Sequence, residues 1–167
     1  MTAAFRLEPL NDQHDRLSFR CGNETLDRYL TTQATQDVRR RVATCFVALE
    51  EATGTLAAFY TIASAGIPTT DLPLEITKRL PRYVSIPAVR IGRLAVDLGF
   101  RRRGLGAALL GDALRRVLLS APAVYALLVE AKDDQAVAFY QHHGFLPLAK
   151  QARALFLPVA TAQKTLL

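Results

Sequence analysis

The chain is poor in the residues that build metal centres and disulfide frameworks. Cysteine occurs only at Cys21 and Cys45. The two lack metal-ligand spacing and are expected to be free thiols in a reducing cytoplasm. No apolar run approaches the length of a membrane span, and the opening MTAAFRLEPL lacks the apolar core of a signal peptide. Internal repeats and low-complexity tails are also missing. Lysine is scarce beside arginine, and 21 Lys+Arg against 15 Asp+Glu leave a net charge of +6, which favours an anionic partner without naming it. At 167 residues, half of them hydrophobic, the chain is expected to be one globular domain, residues 1–167, with a real core.

What is present is concentrated in residues 86–119. Ile91, Leu94, Ala95 and Val96 read as an apolar strand, with Gly92 marking a bulge or a close backbone approach. From Leu105 onward Leu105, Leu109, Ala113 and Val117 fall at helical spacing, with Leu110, Leu114 and Leu118 beside them. Between strand and helix lies Arg101-Arg102-Arg103-Gly104-Leu105-Gly106. Two glycines let backbone N–H groups approach a ligand, the following helix directs its unpaired N–H groups there, and arginines add forked donors suited to phosphate. The pattern fits a pyrophosphate. It is not a dinucleotide fingerprint, because the third glycine falls at Gly111, nor a Walker motif, which needs Gly-Lys-Ser/Thr.

Around this stretch the expected elements follow in order. Phe5 to Leu10 reads as a strand, and Asn23 as the N-cap of a helix carrying Leu26, Tyr29 and Leu30. A second helical piece runs from about Thr32 to Arg41. Thr44 to Glu50 and Leu56 to Ala65 read as a hairpin about Glu51-Ala52-Thr53-Gly54. Pro68 to Pro87 reads as a lid or entrance with a short helix at Leu74 to Leu80. Val124 to Glu130 is a further strand, Asp133 to His142 an amphipathic helix ended by Gly144, and Ala154 to Val159 a last strand interrupted by Pro158. The sum is an α/β chain, a mixed sheet of about six or seven strands with helices on both sides.

The order strand, Arg101-x-x-Gly104-x-Gly106, helix, strand, then Phe139-Tyr140 and Gly144-Phe145, resembles the GNAT family of acyl-CoA-dependent N-acetyltransferases. Cys21-Gly22-Asn23-x-x-Leu26-Asp27-x-x-Leu30, Gly92-Arg93-Leu94-Ala95-Val96-Asp97 and Phe139-Tyr140-x-x-x-Gly144-Phe145 narrow this. Together they resemble the branch of type II toxin–antitoxin toxins that acetylate the amino acid carried on tRNA. Where that branch often has glutamine, this chain has Arg101 and Arg102.

The resemblance implies direct acetyl transfer from acetyl-CoA to an amine. It assigns the cofactor to Leu94, Ala95 and Val96 on the strand, to Arg101, Arg102, Arg103, Gly104, Leu105, Gly106 and Ala107 at the turn, and to Asp133, Ala136 and Phe139 on the later helix. Tyr140 becomes the acid that protonates the leaving thiolate. It further implies a homodimer neutralised by a ribbon-helix-helix antitoxin, with no membrane partner.

No strong general base is visible. Glu130 reads as a solvated strand end, and His142 and His143 as cations at a helix terminus. This suits an α-amine, with a pKa of about 7.7–8 that esterification lowers further, better than a lysine at about 10.4. The tRNA would be held through phosphates, foremost by Arg93, then by Arg90, Arg39, Arg40, Arg41, Lys78, Arg79 and Arg82. Arg39 to Arg41 read equally well as dipole compensation at a helix end. Few exposed aromatics interleave with these cations, so base stacking is expected to be minor. The alternatives are a GNAT enzyme acting on a small-molecule or protein amine, and an idle module that binds CoA or nucleic acid.

Overall fold

The computed structural model describes residues 4–166. Seven strands form a mixed sheet in the order β1-β2-β3-β4-β5-β7-β6, with helices flanking it. By its internal contacts the chain divides into two compact units.

The first unit comprises residues up to Ala63 together with Gly92–Asp112. Strand β1 (Phe5–Pro9) pairs antiparallel with β2 (Thr44–Glu50), and β2 with the first part of β3 (Leu56–Pro68). Cys45, Phe46, Val47, Ala48 and Leu49 are all buried, so β2 is covered on both faces and reads as a continuous apolar run. Helices α1 (Glu24–Thr32) and α2 (Ala34–Arg39) follow β1. Their apolar faces join a core of Phe19, Tyr29, Leu30, Val47, Phe59 and Ala95.

The block Cys21 to Asp27 is mostly a capping device. Asn23 Oδ1 accepts from the N–H groups of Thr25 and Leu26, while Asp27 reaches back to the Cys21 N–H at 2.9 Å. The two Asn23 bonds satisfy first-turn donors that a helix cannot pair internally, and the Asp27 bond fixes the chain entering the helix. The second half of β4 (Ser85–Val96) also belongs to this unit, beside β3: Asp97 N–H donates to Ala57 at 2.8 Å, and a Cβ at Gly92 would lie 3.2 Å from Thr61 Oγ1. Gly92 therefore marks a close approach between strands.

The second unit comprises Ser64–Ile91 and Ala113–Leu167. Here β4 runs parallel to β5 (Ala126–Glu130) over Ala88–Ile91, and β7 (Ala154–Pro158) pairs antiparallel with β5 and with β6 (Leu146–Pro147). The parallel pair requires a long crossover, supplied by α4 (Leu105–Leu118). The predicted stripe Leu105, Leu109, Ala113 and Val117 is buried throughout. Ile67, Leu72, Ile86, Ala88, Ala126, Leu128 and Phe156 make the core of this unit.

The Pro68–Pro87 stretch holds one 3₁₀ turn, at Thr69–Asp71, and a short helix α3 (Leu74–Thr77), which stops earlier than its apolar spacing suggested. Helix α5 (Asp134–His142) is capped by Asp133 and followed by Gly144 at φ +93°. A last helix, α6 (Val159–Leu166), was not expected; it begins directly after Pro158 and buries Val159 and Ala162.

Candidate active site

In the first unit, the turn between β4 and α4 has the geometry of an anion cradle. Arg102 (φ +63°) and Gly104 (φ +75°) are both left-handed, on either side of Arg103. Alternation of hand along a turn directs successive N–H groups toward one side. The N–H groups of Leu105, Gly106 and Ala107 open α4 and so have no intrahelical acceptor; among the described residues no other protein group accepts from them. Among the described residues nothing lies within 4 Å of where a Cβ on Gly104 would sit. The space above the turn is therefore open, and the positive end of a long helix faces it.

The arginine triplet divides its work. Arg101 Nη2 donates to the Cys21 carbonyl at 2.8 Å, which ties the turn to the capping block of α1. Arg103 leans over the Phe100 ring, 5.1 Å from its centroid, and lies 3.5 Å from Glu50. Arg102 is exposed and meets no protein acceptor among the described residues, so its guanidinium is the one available to a ligand phosphate. Asp97 anchors the same turn: its carboxylate accepts from Gly99 N–H at 2.8 Å and Arg20 N–H at 2.9 Å. Leu94, Ala95 and Val96 lie beyond the β5 register, which spans Ala88–Ile91.

Arg93 sits half-buried on the same strand with its guanidinium 3.6 Å from the centroid of Tyr29. Tyr29 donates its hydroxyl to Asp37 at 2.8 Å. Burial first, and then the Asp37 hydrogen bond, push its pKa well above the ordinary phenol value, with Arg93 opposing. Tyr29 and Asp37 were not anticipated as site residues. Helical spacing marks Tyr29 only as core, and no local pattern joins it to an arginine far along the chain. Arg39, Arg40 and Arg41 are exposed at the end of α2, with Arg41 left-handed (φ +60°) and none of the three paired among the described residues.

In the second unit, Tyr140 lies on α5 with only 8% of its surface exposed. Its ring meets Phe139 and Phe145 edge-on, each at 5.3 Å. Burial pushes its pKa up to about 12, so the phenol keeps its proton at neutral pH. Its hydroxyl donates to no protein acceptor among the described residues, yet no buried polar side-chain atom lacks a partner. The hydroxyl therefore reaches the surface while the ring is enclosed. An enclosed ring with its hydroxyl at the surface leaves the O–H to water or to a ligand.

The other candidates of this unit are placed as follows. Asp133 Oδ1 accepts the Ala136 N–H at 2.8 Å, so its carboxylate caps α5. Ala136 and Phe139 are half-buried on that helix. Arg90 approaches Glu130 at 3.9 Å, both well exposed, in agreement with Glu130 as a solvated strand end. Lys78 and Arg79 are exposed and unpaired among the described residues. Desolvation, reinforced by His142, lowers the His143 pKa below its ordinary value.

A family model, the GNAT acetyltransferase domain, matches residues 79–157. The probable toxin TacT of Sinorhizobium fredii is 32% identical over 93% of this chain and 91% of its own length. The chain belongs to the GNAT acetyltransferases and, within them, to the toxin family of TacT. The tRNA-acetylating toxin of Mycobacterium tuberculosis is 35% identical over 87% of this chain and 93% of its own. Among solved structures, AtaT complexed with acetyl-methionyl-tRNAfMet superposes with a TM-score of 0.88 at 29% identity, covering 96% of this chain and 98% of that one. AtaTR bound with AcCoA gives 0.79 at 28%, covering 96% of each chain. The range that the family model matches includes the open turn Arg101–Ala107 described above. No described helix is long and apolar enough to cross a membrane.

Proposed function

We propose that this GNAT acetyltransferase transfers acetyl from acetyl-CoA to the α-amine of an aminoacyl-tRNA, with Tyr140 as the proton donor. The observation that carries the chemical part is the Tyr140 hydroxyl, which has no protein partner among the described residues although its ring is enclosed. The substrate rests on the relatives: one is named a tRNA-acetylating toxin, and another, AtaT, was solved with acetyl-methionyl-tRNAfMet. Their coverage of nearly the whole chain supports reading residues 1–167 as one acetyltransferase domain.

Acetyl-CoA supplies the acyl group as an activated thioester. The residues of the β4–α4 turn fit its diphosphate: open N–H groups at Leu105, Gly106 and Ala107, a left-handed Gly104 and an unpaired Arg102 guanidinium. Backbone groups of Leu94, Ala95 and Val96 hold the pantetheine arm as an added strand would be held. Asp133, Ala136 and Phe139 are assigned to the cofactor by family resemblance, Asp133 acting first as a helix cap.

Tyr140 holds the proton that the sulfur needs as its bond to carbon breaks. With a pKa of about 12 it is a weaker acid than the thiol being formed, which resembles a cysteine at about 8.5. It therefore donates a hydrogen bond to the sulfur as charge develops there. The proton the sulfur finally takes is balanced by the one the attacking nitrogen loses as the amide forms, which leaves Tyr140 protonated. The amine must arrive uncharged, and an esterified α-amine is already largely so near pH 7.5. Positioning can then carry the attack without a strong base. Arg93 grips RNA phosphate, with Arg90, Arg39, Arg40, Arg41, Lys78 and Arg79 adding sequence-independent attraction.

AtaT has been solved with its antitoxin AtaR. We extend a partner of that kind, of ribbon-helix-helix type, to this chain, along with a homodimer and a place in the cytoplasm, where charged tRNA is found. The test is expression without an antitoxin: growth arrest relieved by Tyr140→Phe supports the proposal, and unimpaired growth with abundant soluble wild-type protein contradicts it. Acetylation of polyamines or peptides, with charged tRNA left untouched, would favour the small-amine alternative.

A further inference from the structure

The segment joining β3 to β4 holds a cleft that acetyl transfer, as described, does not use. Its volume is about 500 Å³, and Pro68, Thr70, Leu80, Arg82, Tyr83 and Val84 are among its walls. The backbone of its rim is pinned. Thr69 N–H donates to the Val84 carbonyl at 3.0 Å, the Thr69 hydroxyl to the Tyr83 carbonyl at 2.8 Å, and Tyr83 N–H to the Pro81 carbonyl at 2.8 Å. On this fixed frame the Tyr83 side chain is 62% exposed, and its hydroxyl meets no protein partner among the described residues. A large ring held out at low entropic cost is a platform for a flat ligand.

Charge indicates which flat ligand. No carboxylate lines the cleft, whereas Arg82 does. Lys78 and Arg79 close the adjoining turn of α3, exposed and unpaired among the described residues. Of the two acids in this segment, Asp71 is buried and accepts the Gln151 amide at 3.0 Å, leaving Glu75 as the exposed one. An aromatic ring beside unpaired cations is the combination that binds single-stranded nucleic acid.

We infer that this cleft receives an unpaired nucleotide of the RNA substrate, its base stacked on Tyr83 above Pro68, Leu80 and Val84 and its phosphate paired with Arg82. The inference rests on the reading of aminoacyl-tRNA as the substrate. It also revises the expectation that base stacking is minor, since Tyr83 is an exposed ring set among cations.

The test uses the purified full chain with acetyl-CoA and charged tRNA. Tyr83→Ala is expected to raise the KM for charged tRNA by about fivefold or more, the loss typical of one stacked base. The KM for acetyl-CoA and the melting temperature should stay unchanged, because Tyr83 is exposed. Tyr83→Trp should restore the tRNA KM, and Arg82→Ala should reduce the slope of log affinity against log salt by about 0.7. An unchanged tRNA KM in Tyr83→Ala, or a tryptophan variant as impaired as alanine, overturns the inference. So does a Tyr83→Ala protein with normal RNA parameters but weakened inhibition by an antitoxin peptide, which would assign the cleft to a protein. If wild-type protein fails to acetylate charged tRNA, the underlying reading falls too; if it succeeds and Tyr83→Ala is indistinguishable, the cleft assignment alone falls.

Discussion

The Arg93 guanidinium lies 3.6 Å from the centre of the Tyr29 ring, and the opposite end of that tyrosine is fastened to Asp37 at 2.8 Å. Tyr29 also stacks with Phe59, the rings 14° from parallel with centroids 6.3 Å apart. A flexible arginine is thereby held over a fixed aromatic surface, which reduces the entropy it loses on gripping a phosphate. Arg93→Ala is expected to raise the KM for charged tRNA about tenfold, the loss of a phosphate contact worth about 1.4 kcal/mol, with the KM for acetyl-CoA unchanged. Tyr29→Phe keeps the ring and removes the bond to Asp37. It should cost about 1.5–3 kcal/mol of stability by denaturant titration, with little further effect on tRNA.

Gly104 tests the cradle. At φ +75° an alanine there costs about 1–2 kcal/mol of strain, and no atom of the described residues within 4 Å opposes its methyl group. Gly104→Ala should therefore fold, with a modestly lower melting temperature. Its KM for acetyl-CoA should rise, because the methyl group enters the space assigned to the diphosphate. An unchanged KM for acetyl-CoA would remove the diphosphate from this turn.

Tyr140→Phe deletes a hydroxyl that bonds to no protein group among the described residues, so stability should barely move. The rate should fall by about 10²- to 10⁴-fold, the usual contribution of a positioned acid. Because burial raises the Tyr140 pKa to about 12, no loss of rate from its ionisation is expected below pH 10. The lower limb of the profile should follow deprotonation of the substrate amine, giving a rate that rises and then levels.

Cys45 gives a prediction about stability. It is 2% exposed, and burial raises its pKa from 9.0 to about 12. A raised folded-state pKa means stability is complete below pH 9 and is lost as pH rises toward 12, because the unfolded chain sheds this proton first. The slope from this residue is about 1.4 kcal/mol per pH unit. Cys45→Ala should lower stability overall through lost packing, while flattening the part of the decline above pH 9 that does not come from the buried tyrosines. An unaltered slope in urea titrations across that window would contradict the burial argument.

The strand, turn and helix of the candidate cradle were largely readable from the sequence because these parts are local. A strand, a glycine turn and an apolar helical stripe follow one another, so Arg101 to Ala107 could be placed at a helix start before any coordinates. Asn23 was legible for the same reason, as a side chain that caps its own helix, whereas Asp27 was legible only as a motif position. Arg101 was legible as a motif position, but not in its partner: its bond to the Cys21 carbonyl joins distant segments, and no spacing rule reports that. The Arg93–Tyr29 contact was hidden for the same reason. Helix α6 escaped notice because Pro158 and a short apolar stretch read as the end of a strand. Tyr83 was overlooked because exposure of one aromatic in a proline-rich segment is decided by packing.

The most direct measurement is mass spectrometry of charged tRNA incubated with the purified chain and acetyl-CoA. The account predicts an acetyl group on the α-nitrogen of the esterified amino acid, formed by wild type and nearly abolished by Tyr140→Phe. Unmodified aminoacyl-tRNA beside an enzyme that acetylates other amines, or full activity in the phenylalanine variant, would contradict it.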